Sequence, residues 1–368
     1  MRLRAALTPA LALLLFVFTL GLYTRAMAPG TLMDLGDPGD LQAAVATLGV
    51  PHPTGYPLFV LAGWLWVHLL PVGTMAFRLN LLVAVCGALA VSFTYLLALR
   101  LTGRHLPAVG GALLFGLSYT FWTQTSISEV YTLNAVFVAA VLYLLVRWGQ
   151  SRAGEGSESP TGGSYLVWAA FVYGLSMAHH RTMILLLPAI AVYVAMVDRR
   201  VYANRHLLAR LVAVALPGPA LYAFTFLRLM PQGYSAADVL WGTVMGGSFI
   251  GSLGQAPDWA NIFWRLPLAQ FGVVGLAAAA VGWLSLVRRS ESRRQAVLLM
   301  LAYLCVSLFC LIYRIPEIDP FLIPAFLILA VGVSGLAFPL AHLPRPLRLA
   351  GEAALALLPL LLVSNLAR

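Results

Sequence analysis

Lysine is absent from this chain. All 23 basic residues are arginine, set against 13 acidic residues, and charged residues make up only 10% of 368 positions. A water-solvated domain of this length needs far more surface charge, so the scarcity excludes one. Cysteine is also scarce. Cys86, Cys305 and Cys310 all stand inside apolar runs, which excludes a disulfide framework and any metal-ligand spacing built on thiols. Low-complexity sequence is confined to Gly149–Gly163, a Gly/Ser/Glu-rich connector. No internal repeat is visible, and many secondary transporters carry one.

What fills the chain is apolar: 61% of residues are hydrophobic and the mean hydropathy is +0.88. Runs long enough to cross a bilayer, about 20 residues each, lie near 7–25, 79–100, 106–123, 130–147, 164–179, 182–197, 207–229, 267–287, 296–313, 321–341 and 349–365. The expected fold is therefore all-α, a polytopic transmembrane bundle of about 11 spans, forming a single integral membrane domain over 1–368 with no separate soluble domain. The first run resembles a signal peptide but is long for one, so it is expected to stay as a helix. The arginines flank the apolar runs in ones and twos. That placement signals topology and lipid headgroup contact, and argues against nucleic acid.

One apolar stretch, Leu58–Leu70, is short and stops at Pro71. If it does not cross, and the N-terminus is inside, the inner loops hold 16 of the 23 arginines; if it crosses, they hold 8. The positive-inside rule selects the first arrangement. Leu58–Leu70 then lies on the outer membrane surface, with Trp64 and Trp66 at headgroup depth. The outer side receives 8 of the 13 acidic residues, and its two long loops are about 26–78 and 230–266.

The first outer loop holds Asp34, Asp37 and Asp40, with no arginine between Met27 and Phe77. Asp37-Pro38-Gly39 is turn chemistry, and a short helix is expected from about Asp40. From residue types alone these acids fit solvated caps, a cation site completed by His52, or a general base. His52-Pro53-Thr54-Gly55-Tyr56-Pro57 is a stiff, non-helical run that fixes the path into the surface helix. His52 suits either ligation or proton transfer. His179-His180-Arg181 and Glu317–Asp319 mark two further outer hairpin tips.

The segments Gly36-Asp37-Pro38-Gly39-Asp40-Leu41 and Leu48-Gly49-Val50-Pro51-His52-Pro53-Thr54-Gly55-Tyr56-Pro57-Leu58 resemble the opening signature of the TMEM260-like membrane family, also listed as DUF2723 and related to protein O-mannosyltransferases. Ala76–Asn80, Ser128–Asn134 and Gly174–Ser176 with His180 match further blocks, and Tyr313–Pro324 matches more weakly. The resemblance runs over roughly residues 30–335. It implies a GT-C-like glycosyltransferase with surface-lying helices in the first outer loop. Such an enzyme takes a sugar, a hexose such as mannose, from a polyprenyl-phosphate carrier and passes it with inversion to a hydroxyl of an acceptor protein or glycan.

Carried over by position, Asp37 is the implied base, and Asp40 is the second acid, where the family usually has Glu. Glu129, Arg78, His52, Tyr56, His180, Arg181, Arg314 and Asp319 form the implied substrate-binding set, with the arginines placed for the lipid phosphate. No cofactor is assigned; a divalent cation is compatible with the acids. Pro38 replaces the family's usual Ser, and Trp241-Gly242-Thr243 keeps only the first half of a Trp-Gly-Asp-Pro-like segment, so the acceptor is not carried over. The competing class is a transporter or lipid-linked-sugar flippase, which would need polar residues near the midplane. The expected location is a bacterial inner membrane, with a cytoplasmic N-terminus and the site on the outer face.

Overall fold

The computed structural model describes residues 2–30, 36–153, 160–254, 257–313, 315–360 and 362. The first long helix, α1 (Arg2–Ala26), is followed by two short ones, α2 (Asp37–Thr47) and α3 (Pro57–Leu69). The hub is α4 (Met75–Thr102), which packs against α1, α5 (His105–Gly116) and, beyond the short α6 (Tyr119–Gln124), α7 (Tyr131–Ala153). Then come α8 (Pro160–Met177), α9 (Leu187–Val197), α10 (Arg200–Ala203), α11 (Arg205–Ala215), α12 (Pro217–Ala220), α13 (Tyr222–Leu229) and a single turn, α14 (Ala236–Asp238). The chain closes with α15 (Leu266–Arg288), α16 (Ser290–Ile312), α17 (Ile323–Val333), α18 (Ala337–Leu340) and α19 (Arg345–Leu357).

Among the described residues, seven helices are long and apolar enough to cross a membrane, and four shorter apolar helices accompany them. Some of the eleven expected runs are thus not single long helices, for visible reasons. The run 106–123 breaks after Gly116, where Ser118 turns extended (ψ 141°) before α6. The run 182–197 opens as a 3-10 turn, Arg181–Leu186, and becomes α-helical where Pro188 sits in its first turn, a position proline tolerates. Gly218 lets α12 touch the backbone of α8 at Gly174, an approach that a Cβ would block.

The helix ends sort into two groups. At one end, Ala28 N–H donates to Ser126 (2.9 Å), Asn80 donates to Ala28 (2.9 Å), and Leu58 N–H donates to Ala178 (3.1 Å). At the other, Gln150 donates to Arg100 (2.7 Å), Arg104 pairs with Glu352 (3.5 Å) and Arg152 pairs with Asp198. These are the groupings that arginine counting assigned to opposite faces.

Helix α3 starts beside Ala178 and finishes at the turn into α4, so both its ends lie at the first end of the bundle and it does not cross. Trp66 Nε1–H donates to Arg78 O (2.8 Å). The three guanidinium nitrogens of Arg78 donate to the carbonyls of Val67 (2.7 Å), Val72 (2.8 Å) and Gly73 (3.0 Å). This clamp satisfies carbonyls left without partners at the end of α3.

Candidate active site

Asp37 and Asp40 open α2, where carboxylates complement the helix dipole. Leu41 and Val45, on the side of α2 next to the acids, are buried against α3 and α4 in a cluster with Phe59, Leu79 and Val83. A buried relay fixes this small helix from behind. Gln42 Nε2 donates to Ser128 Oγ (3.0 Å), and Ser128 donates in turn to Asn80. The two acids are thereby held at the bundle end, one residue from Glu129 across the relay.

His52 joins the acids. Its backbone N–H donates to Asp40 Oδ2 (2.7 Å), its Nδ1 lies 2.8 Å from the same oxygen, and its Nε2 lies 3.7 Å from Asp37 Oδ2. The following turn needs Gly55, whose φ of +78° suits glycine and whose missing side chain leaves room for the Thr243 methyl group. Tyr56 itself takes a left-handed backbone (φ 39°), rare for an aromatic residue. That conformation sets its ring 5.2 Å from His52 and 6.1 Å from His180, centre to centre.

These residues line a cleft of about 310 Å³. Asp37, His52, Tyr56, His180 and Arg181 stand on its polar side. Tyr131, Tyr313 and Phe321 supply aromatic walls, with ring centres about 5.5 Å apart from Tyr131 to Phe321. Ile184, Leu185 and Phe309 make an apolar flank, and Met245, Gly246 and Leu253 of the second long loop form the far wall. Arg181 reaches that wall, with Nη2 3.5 Å from Met245 Sδ.

Asp37 is the open carboxylate, with 62% of its side chain exposed. Glu129 is its counterpart, buried to 8% exposure. Burial, and then the charge of Asp37, push the Glu129 carboxyl up to about 8, opposed by the N–H of Val130 (3.3 Å) and reinforced by Glu317. Burial, and then His179 and His52, push His180 down to about 3, so its imidazole is neutral. Its Nδ1 lies 2.6 Å from Thr182 Oγ1.

The remaining expected residues sit elsewhere. Arg78 does not reach the cleft, because its guanidinium is spent on the α3–α4 turn. Asp319 accepts a hydrogen bond from Thr120 Oγ1 (2.9 Å) within a network that includes Gln270, bracing α6 rather than lining the cleft. Asp40 stands behind His52 and does not line the cleft. Arg314 lies outside the described residues, as does Asp34. Among the described residues, no group of three or more His, Cys, Asp or Glu is arranged to hold a metal ion. Tyr131, Tyr313 and Phe321 were missed by sequence reasoning, although Tyr131 follows Glu129 by two positions and the other two fall in the weakly matching Tyr313–Pro324 block.

Residues 37–203 match the family model described as the protein O-mannosyl-transferase TMEM260 N-terminal domain. This segment is thus similar to the TMEM260 N-terminal domain. The Mus musculus protein O-mannosyl-transferase TMEM260 is 37% identical over 150 residues, 41% of this chain and 21% of that protein. The Dictyostelium discoideum protein of the same name is 26% identical over 304 residues, 76% of this chain and 37% of that protein. The chain thus spans between about a fifth and two fifths of the curated relatives it matches.

Among solved structures, ArnT from Cupriavidus metallidurans bound to undecaprenyl phosphate superposes with a TM-score of 0.67 at 15% identity, over 95% of this chain and 62% of that one. The Archaeoglobus fulgidus oligosaccharyltransferase AglB, in complex with an inhibitory peptide and a dolichol-phosphate, gives 0.59 at 15% identity, over 97% and 55%. The fold is that of the GT-C enzymes, embedded in a membrane.

Proposed function

We propose that this TMEM260-type chain transfers a sugar, with mannose the foremost candidate, from a polyprenyl-phosphate carrier to an acceptor hydroxyl at the cleft end of the bundle. The carrying observation is the pairing of one open carboxylate, Asp37, with a cleft that has an arginine, Arg181, on one side and an apolar flank on another. The relatives' names and the polyprenyl phosphates bound in two of the similar solved structures support the same class.

In this reading the isoprenoid lies along Ile184, Leu185 and Phe309, and Arg181 faces the phosphate. The acceptor hydroxyl gives its proton to Asp37 as its oxygen attacks the anomeric carbon. The carbon–oxygen bond to phosphate breaks on the opposite face, the polyprenyl phosphate leaves with the electron pair, and the configuration inverts. Asp37 then releases the proton to water. His52 holds Asp37 and Asp40 in register. Glu129 keeps its proton near neutral pH, so Asp37 does not face a second anion. Tyr56, Tyr131 and neutral His180 bound the sugar. The arginine distribution supports a cleft end that faces the outside or lumen.

The test is sugar transfer or release from a panel of polyprenyl-phosphate mannose and glucose by the purified protein, wild type beside Asp37→Asn. Loss of a proton-accepting carboxylate lowers turnover by about 10²–10⁴-fold. Full activity in Asp37→Asn would remove the base assignment, and failure to bind any polyprenyl phosphate would remove the enzyme reading.

A further inference from the structure

Along the flank of the bundle, running from its arginine end towards the cleft, α7, α8, α9 and α11 enclose a second groove of about 280 Å³, walled almost wholly by apolar atoms. It belongs to no part of the mechanism above. Its rim is open to the surroundings, because Leu187, Tyr202 and Val212 are exposed. The span that carries α11 is only 6% buried, so its outer surface is bathed in lipid.

The stripe that α11 turns to this groove is Leu208, Leu211, Val212 and Ala215, a helical i, i+3, i+4, i+7 set. One turn earlier on the same stripe stands Arg205. Arg200 directly precedes Val201, which lines the groove, and Arg199 precedes Arg200. All three arginines are exposed and, among the described residues, none lies within ion-pair distance of a carboxylate, although the Arg200 charge still acts on Asp198. The neighbouring acid, Asp198, is taken by Arg152 and by the N–H of Arg200. Tyr202 O–H donates to Ala191 O (2.7 Å), pinning the α10 turn to α9 so that the arginines stay at the groove mouth.

We infer that this groove is a binding site for an anionic phospholipid, with one acyl chain against the α11 stripe and the phosphate at Arg200 and Arg205. The apolar groove and the exposed cations at its mouth match the two halves of one such molecule. A zwitterionic lipid would fill the groove equally but gain less from the arginines.

The experiment is native mass spectrometry of the full chain released from nanodiscs containing equal amounts of phosphatidylglycerol and phosphatidylcholine. The wild type is expected to retain phosphatidylglycerol preferentially by roughly 25-fold, about fivefold for each of two arginines near the headgroup. The double variant Arg200→Gln/Arg205→Gln loses that preference. Arg345→Gln/Arg348→Gln, an arginine pair elsewhere at the same end, keeps it. Ala170→Phe, which fills the groove, lowers retention of both lipids. Equal retention of the two lipids by the wild type overturns the site, as does an equal loss of preference in both arginine pairs, which would mean general surface charge. A thermal unfolding profile of each variant identifies any that has simply failed to fold, and for those the single variant Arg205→Gln, on the exposed first turn of α11, is read instead.

Discussion

The two ends of the bundle handle charge in opposite ways. At the arginine end, acids are matched with guanidinium groups: Asp198 with Arg152, Glu352 with Arg104 and Glu291 with Arg289. At the cleft end, among the described residues, Asp37 and Asp40 pair only with a histidine, and Glu129 has no cation beside it and keeps a proton instead. A fold that needed only stability would neutralise its carboxylates as the first end does. Leaving them unmatched around a cleft is the pattern of groups poised for chemistry.

That contrast can be broken or sharpened by substitution. After Asp37 itself, the largest effect is expected at His52. In His52→Ala both carboxylates lose their shared partner, and turnover with a polyprenyl-phosphate sugar should fall by about 100-fold, the cost of a misplaced reacting group. An unchanged rate would mean that the acids are positioned without it.

Glu129→Gln comes next, read as a pH profile. With the wild-type carboxyl titrating about 8, its activity should drop about tenfold from about pH 7 to about pH 9, and the Gln variant should lack that alkaline limb. Stability follows the same group. Folded Glu129 binds a proton more tightly than in the unfolded chain, so its contribution is complete below about 4.5 and is lost as pH rises through about 8. Thermal unfolding of the wild type should therefore weaken across that window relative to Glu129→Gln; parallel profiles would place the titration elsewhere.

The smallest effect belongs to the other end. Asp198→Asn breaks a partly exposed pair and should cost no more than about 1 kcal/mol in chemical denaturation, with turnover unchanged. A large loss of turnover there would erase the distinction between the ends.

Much of this was legible in the chain. Arginine placement sorted the loops between the two ends and kept α3 from crossing, because a bilayer penalises misplaced charge in a way that sequence records directly. Asp37, His52, Tyr56, His180 and Arg181 do converge on one cleft. The helix break at Ser118 and the 3-10 turn before α9 were less visible, since hydropathy registers length and not backbone angle. Arg78 and Asp319 looked like ligand groups because sequence cannot show which carbonyls or hydroxyls already occupy a side chain. The aromatic walls were hidden for the same reason: a tyrosine at a helix end reads as an interfacial anchor until its neighbours across the bundle are known.

The segment Arg205–Gln232 has a further consequence. Only 6% of it is buried, yet it leads into the loop that supplies Met245, Gly246 and Leu253 to the cleft. One wall of the cleft therefore hangs from a beam held from one side, chiefly by α8, with its other side open. Whatever presses on that open side bears on the far wall of the cleft.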